Sequence, residues 1–378
     1  MFLVIHEALQ NGKMMIAEGK LEFQIDWNGK QIVWVAIHSS RPVFACRVLE
    51  GKAVEAVLGL VPMLFSVCGR AQGVAAAAAC DAARGIEAGA ATKQERERAI
   101  AAECLQEYLW RLFIDLPALL GEAARPGDLA DMRRRMPAAA SEAEWLDIAA
   151  DAEELLEKRV YGMRPQDWLE LDETRFARWL DDAAQPAAGM LARLRGFASG
   201  APQDFLPWLG ENELLAGIAP PMESEESFAS EPTWRGCPTE TGALARQRQQ
   251  PRIARELTVN GLSARLLARL TELAVLPAQL RRPLANGIRS TSPRDGVGLA
   301  AVETARGTLI HCVALDGEKV MRYRIVAPTE WNFHPRGAFP RGLVGMPARN
   351  EGEARQAAAL LAHALDPCVA YETSVQHA

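Results

Sequence analysis

Residues 296–313, Gly-Val-Gly-Leu-Ala-Ala-Val-Glu-Thr-Ala-Arg-Gly-Thr-Leu-Ile-His-Cys-Val, decide between two fold classes. Gly296–Ala301 matches the GxGxxA pattern of a dinucleotide loop, which belongs to a parallel sheet wound with helices. That pattern carries meaning only with a strand before it and a helix after it. Here a turn-rich stretch precedes it and strand-like residues follow. Gly307–Val313 and Val320–Val326 flank an Asp316-Gly317 turn, a hairpin signal. The stretch is read as antiparallel sheet, and the nucleotide loop is rejected.

Working outward, the chain shows no strand–helix alternation that would call for a parallel sheet. Residues 1–40 alternate apolar and polar side chains around Asn11-Gly12 and Asn28-Gly29, which predicts an N-terminal antiparallel sheet. Residues 52–276 are mainly helical in spacing. The run Ala75–Ala79 suits close helix packing, and Thr92–Phe113 is expected as an amphipathic helix ending near Pro117. Trp145, Trp168 and Trp179 are the expected core anchors of residues 141–200, and a helix over Leu257–Leu276 is expected to stop at Pro277. Pro220–Cys237 reads as a loop or mobile excursion. After the hairpin region 297–327, a last helix over Glu353–Leu365 leads into an irregular tail ending at 378. The expected class is α+β, mainly helical, with the sheets peripheral and one domain over 1–378.

Composition narrows the function. The 378 residues carry a net charge of −6 and are 49% hydrophobic and 24% charged. That is no disordered chain, and a mildly acidic total argues against non-specific nucleic-acid binding. The longest apolar stretch, Val57–Cys68, is interrupted by Pro62 and falls short of the ~20 residues that span a bilayer. Met1–Leu9 has no secretory pattern, so a cytoplasmic protein away from membranes is expected.

The seven cysteines stand at 46, 68, 80, 104, 237, 312 and 368, with no CxxC among them. An odd, irregular set does not suggest a disulfide framework, and a zinc ribbon is excluded by spacing. Small buried hydrophobes are the default reading. Two positions stand apart. Cys68, in Ser66-Val67-Cys68-Gly69-Arg70, begins a helical region beside an arginine, where a thiol is expected to have a depressed pKa and to be a good soft-metal ligand. Cys368 follows Asp366-Pro367 just past a helix end. On these residues alone, a buried core cysteine and an ordinary terminal loop remain open.

Set together, the segments resemble the large subunit of nickel–iron hydrogenases, and more closely its degenerate relatives, the HupK/HoxV-type hydrogenase expression and formation proteins. Ile16-Ala17-Glu18-Gly19-Lys20-Leu21 is similar to R-[IV]-E-G-H-L, and Arg47–Lys52 to the segment before the first metal motif. Ser66–Ala71 stands where the subunit has R-[IV]-C-G-x-C. Glu240–Arg246 is similar to E-x-G-P-L-A-R, and Gly296–His311 to G-x-G-x-x-E-A-P-R-G-x-L-x-H. Pro328-Thr329-Glu330-Trp331-Asn332 with Pro335-Arg336 resembles P-T-T-W-N-x-x-P-R, and Asp366-Pro367-Cys368 the start of D-P-C-x-x-C-x-x-H. The pieces keep the family's order from end to end. The resemblance implies a central bundle of long helices with N-terminal and peripheral antiparallel sheets, and both cysteine segments meeting at its centre.

The departures are as informative. In the family's enzymes the first cysteine of each pair binds nickel, and the second bridges nickel to an iron carrying cyanide and carbon monoxide. Cys68 and Cys368 match the first cysteines, whereas the bridging positions hold Ala71 and Tyr371, Ala75 replaces a nearby histidine, and Ser374 stands at the C-terminal one. No counterpart of the protease-removed tail is expected. Arg306 matches the arginine that donates to one cyanide, and Pro328 and Thr329 the pair at the other. Glu18 matches the proton-relaying acid of the enzymes; a spare ligand and a relic are both open.

The resemblance thus implies a non-enzymatic maturation scaffold that carries or completes the Fe(CN)2CO fragment, held by Cys68 and Cys368, with no nickel. The large-subunit precursor and other maturation proteins, including the small HypC-type chaperone, are the implied partners. A metal-free chaperone of the apo-subunit is the alternative. Less favoured are a divergent hydrogenase subunit and a relative of the 49-kDa subunit of complex I, a lineage that has lost these cysteines.

Overall fold

The computed structural model describes residues 19–378 except 43, 44, 66, 137, 138, 140, 183, 184, 201–203 and 285. Glu18, the Asn11-Gly12 turn and Ser66 therefore lie outside the described residues. Strand β1 (Lys20–Trp27) buries Leu21, Phe23 and Ile25 on one face, the alternation its sequence predicts. It pairs antiparallel with β2 (Ile32–Ser39) across the Asn28-Gly29 turn. There Asn28 Oδ1 accepts from the nitrogens of Lys30 and Gln31 at 3.1 and 3.0 Å, and Gly29 takes φ +85°.

The helices of ten residues or more are α1 (Val54–Leu64), α2 (Gly69–Ala83), α3 (Ala90–Trp110), α4 (Glu142–Leu156), α5 (Pro186–Arg195), α6 (Gly261–Arg281) and α7 (Glu351–Leu365). Their apolar faces share one core, with Trp168 and Trp179 buried and Trp145 half-buried against it. A second sheet has the order β3 (Ile288–Arg294), β4 (Val297–Thr304), β5 (Gly307–Asp316), β6 (Lys319–Val326), antiparallel throughout. The stretch that resembled a nucleotide loop is thus β4, its turn and β5.

Strand β4 lies close on α2. A Cβ on Gly298 would come within 2.0 Å of the Ala79 carbonyl oxygen, so glycine on the strand and alanine on the helix together permit the approach. Ala300 and Val302 on this face join the main core. Val297, Leu299 and Ala301 on the other face join a second cluster with Met222, Phe228 and Trp331.

Three local expectations need correction. Pro220–Cys237 is not an open excursion. Ala219–Ser224 forms a helix, Glu226–Ala229 a tight turn, and Met222 and Phe228 bury against the outer sheet face. Arg322 and Arg324 of β6 tie it down through the carbonyls of Glu223 and Glu225 at 2.9 and 3.0 Å. Helix α6 does not stop at Pro277 but runs to Arg281. Leu276 and Leu280 stay buried on either side, so packing outweighs the one hydrogen bond proline removes. Nor is the tail irregular. Ala370–His377 forms β7, which pairs parallel with β1 and makes the first sheet mixed. Helix α3, by contrast, runs on through a π-helical turn, Arg111–Asp115, and a short helix, Leu116–Leu119, and so ends near Pro117 as expected.

Candidate functional site

The fold brings four chain segments together: the start of α2, the β4–β5 turn, the short helix Pro328–Asn332, and the turn after α7. Cys68 is the N-cap residue of α2, yet its side chain makes no capping hydrogen bond. The free N–H groups of the first turn go instead to Glu103 of α3. Its Oε2 accepts from Arg70 N at 2.9 Å and its Oε1 from Ala71 N at 3.3 Å. Relieved of capping, Cys68 Sγ accepts from Gln72 Nε2 at 3.6 Å. Gln72 Oε1 lies 2.8 Å from His311 Nε2, and His311 Nδ1 lies 2.8 Å from Tyr323 OH, all three residues buried. Burial pushes His311 down to about 3, so the ring stays neutral, one nitrogen donating and the other accepting.

Cys368 is placed by a different set of contacts. Helix α7 ends at Leu365, and Asp366 takes the left-handed conformation, φ +58°, that reverses the chain. Arg269 of α6 satisfies the open carbonyls of His363 and Ala364 at 3.1 and 2.7 Å, the favourable place for a cation on a helix dipole. Asn332 Nδ2 donates to Leu365 O at 3.1 Å. The buried Asp366 carboxylate pairs with Arg111 at 2.7 Å and Arg306 at 3.3 Å, with Arg269 at 3.8 Å. Burial opposes its charge, yet Arg111, Arg306 and Arg269 hold the carboxyl well below the ordinary range. The turn is therefore pinned ionically, and the next two residues follow from it.

At Cys368 itself, the Thr329 hydroxyl works in both directions. It accepts from Cys368 N at 3.2 Å and donates to Cys368 Sγ at 3.2 Å. Arg41, at the end of the β2 segment, places Nη1 2.7 Å from the same sulfur and Nε 2.8 Å from Glu330. Arg306, in the tight turn between β4 and β5, pairs with Glu107 at 2.6 Å as well as with Asp366. Burial works against the Arg306 charge, but Asp366, Glu107, Cys368 and Cys68 more than offset it. The depressed pKa expected of Cys68 at a helix start is not found: burial, then the neighbouring Cys368 and Glu103, push the thiol above its ordinary range, with Arg306 acting in the opposite sense. The two thiols thus share one electrostatic environment.

Of the residues singled out from sequence, Cys68, Cys368, Arg306 and Thr329 converge here, and Pro328 sits buried at the first turn of the helix that presents Thr329. Ala71 is fully buried on α2. Tyr371 pairs with Leu21 across the β1–β7 ladder and stacks on Phe23 at 5.3 Å, so its side chain serves the core. Cys46, Cys80, Cys104 and Cys312 are buried and Cys237 is exposed, and none of the five is in a disulfide.

Sequence reading missed Arg41, Glu103, Glu107, Arg111, Arg269, Gln72 and the role of His311. Only Glu330 left a signal, a carboxylate where the motif has threonine beside Thr329, since a buried acid needs a cation. Among the described residues, no three Cys, His, Asp or Glu side chains gather to hold a metal ion. What converges is two thiols rimmed by guanidinium and hydroxyl donors, a set suited to a soft metal centre bearing anionic ligands.

Comparison with known proteins gives the family and the fold. The family model for nickel-dependent hydrogenases matches residues 252–373. The chain is 32% identical to the hydrogenase expression/formation protein HoxV of Cupriavidus necator, over 89% of this chain and 91% of that one. It is 32% identical to the expression/formation protein HupK of Bradyrhizobium diazoefficiens, over 95% and 97%. Among solved structures, the Ni-Fe-Se hydrogenase of Desulfomicrobium baculatum superposes with a TM-score of 0.56 at 15% identity, covering 91% of this chain and 95% of that one. Among the described residues, no helix is long and apolar enough to cross a membrane.

Proposed function

The chain belongs to the HupK/HoxV family of hydrogenase expression/formation proteins, and from that premise we propose that it is an assembly scaffold carrying the Fe(CN)2CO fragment toward the hydrogenase large subunit. The coarse part, a role in forming hydrogenase, follows from membership. The cargo and its ligands are the proposal. One observation carries it: Cys68 and Cys368, about 300 residues apart in sequence, are near enough to act on each other and on Arg306 electrostatically, and Thr329 hydrogen-bonds Cys368.

In this reading the two thiolates hold the iron. Arg306 and Thr329 donate to the anionic cyanide nitrogens, and buried Pro328 keeps the wall at Thr329 dry. With Ala71 and Tyr371 at the bridging positions, no binuclear centre forms, nickel is not taken up and hydrogen is not turned over. The surviving cysteines are those on the nickel side of the enzyme, so the fragment sits displaced from the enzyme's iron position. Two ligands also release more readily than four, as a carrier requires. Partners are the large-subunit precursor and the other maturation proteins, a HypC-type chaperone among them, and the site of action is the cytoplasm. Glu18 remains a candidate spare ligand.

The test is infrared spectroscopy with iron quantification on protein isolated anaerobically from maturing cells. Cyanide and carbonyl stretches that vanish in Cys68→Ala and Cys368→Ala support the reading. Their absence from wild type, with retained binding of the apo-subunit, would favour the metal-free chaperone.

A further inference from the structure

Two neighbouring cysteines are an invitation to zinc and copper, which thiolates bind ahead of iron. A carrier for an iron fragment must refuse those ions. The described residues offer no third Cys, His, Asp or Glu at the pair, so a bare ion would have to complete its coordination with water. Arg41 lies against one of the two sulfurs, that of Cys368.

The Arg41 side chain is only 12% exposed and reaches two groups at once, Cys368 Sγ through Nη1 at 2.7 Å and Glu330 Oε1 through Nε at 2.8 Å. Glu330 is 6% exposed and its other oxygen, Oε2, is buried with no hydrogen-bond partner, so the carboxylate is committed to Arg41. A guanidinium cannot shed its charge in a protein. The pair therefore sets a permanent cation on the thiol, held by an acid adjoining Thr329. Arg306, Arg111 and Arg269 stand around Asp366 nearby, where Glu107 and Asp115 offset part of their charge, so the cation set directly on the sulfur is that of Arg41.

We propose that Arg41 is a specificity-determining residue of the paired thiols: its guanidinium, anchored by Glu330, repels bare divalent cations and admits a metal unit that brings its own anionic ligands. A bare zinc ion meets a like charge at the sulfur it needs. A cyanide-bearing iron presents nitrogens that accept N–H donors, so the same guanidinium attracts it. The identity of the admitted cargo rests on the scaffold reading above. Rejection of bare cations does not.

The experiment titrates zinc alone into the reduced, metal-free full-length protein under anaerobic conditions, in competition with a chromophoric chelator. Arg41→Met and the double variant Arg41→Met/Glu330→Thr are compared with wild type. Both should bind zinc at least tenfold more tightly, and adding Cys368→Ala should abolish the gain. The double variant removes both halves of the buried pair, so it keeps the comparison valid if the single variant, left with an unpaired Glu330, fails to fold by circular dichroism. Equal zinc affinity in wild type and the folded variants, or a gain that survives loss of Cys368, overturns the proposal. Missing cyanide stretches in the infrared test would defeat the scaffold reading and leave the zinc comparison standing.

Discussion

The Glu103 carboxylate lies 2.9 Å from the Arg70 backbone nitrogen, so a side chain of α3 closes the first turn of α2 beside Cys68. Burial first, and the Glu107 charge second, push this carboxyl from 4.5 up to about 7. An acid with a raised folded pKa keeps its proton longer in the native state than in the unfolded chain. Native stability from this group is thus full below pH 4.5, declines as pH rises toward about 7, and is flat beyond. Glu103→Gln removes the titration and should gain about 2 kcal/mol on wild type between pH 5 and pH 8, at ~1.4 kcal/mol per unit. Urea unfolding of both proteins at the two pH values reads the difference, and an equal change in both would refute it.

Asp366 is the buried counter-charge for three surrounding arginines, so its loss should be felt beyond the turn. Asp366→Asn leaves Arg111, Arg269 and Arg306 facing one another and should cost about 3–5 kcal/mol, the range for breaking a buried ion pair from one side. Denaturant midpoints measure it. A cost below about 1 kcal/mol would show that Glu107 and Asp115 already neutralise the cluster.

Gly298 and Gly59 give opposite signs for one substitution. At Gly298 an added Cβ meets the Ala79 carbonyl and Ala83 N, both backbone atoms that cannot step aside. Gly298→Ala should therefore destabilise by about 1–3 kcal/mol through overpacking. At Gly59, inside α1, an added Cβ meets nothing within 4 Å, and Gly59→Ala should stabilise by about 0.5–1 kcal/mol. Thermal melts of the two variants decide it, and the same sign at both positions would contradict the close packing of β4 on α2.

These cases mark what sequence could and could not deliver. The alternation in β1, the Asp316-Gly317 hairpin and the alanine run of α2 are local patterns, and the elements follow them. Cys68, Cys368, Arg306, Pro328 and Thr329 were legible because each sits in a short motif. Arg41, Glu103 and Arg269 were not, because a lone charged residue looks solvated until its partner is known. Those partners lie 327, 33 and 94 positions away, at Cys368, Arg70 and His363. Strand β7 escaped for the same reason. Its ladder depends on β1, some 350 residues earlier, and its burial alternates too weakly to announce a strand. Pro277 misled in the other direction, since a local breaker was overruled by core packing.

The last prediction restores a missing ligand. Ala71 lies three residues beyond Cys68 on the first turn of α2, where i and i+3 share a face. Ala71→Cys therefore supplies the thiol that the carrier reading says was lost to permit release. It should slow removal of iron by an external chelator at least tenfold, at ~1.4 kcal/mol per decade. Hydrogenase maturation in cells should fall as the cargo is retained. Ala71 is fully buried, so any larger side chain overpacks the site by about 1–3 kcal/mol. Ala71→Ser carries most of that steric cost without a soft ligand, and the comparison between the two isolates the sulfur. If iron leaves both variants at the same rate, a third thiolate at this position gains no hold on the cargo, and release is governed elsewhere in the pocket.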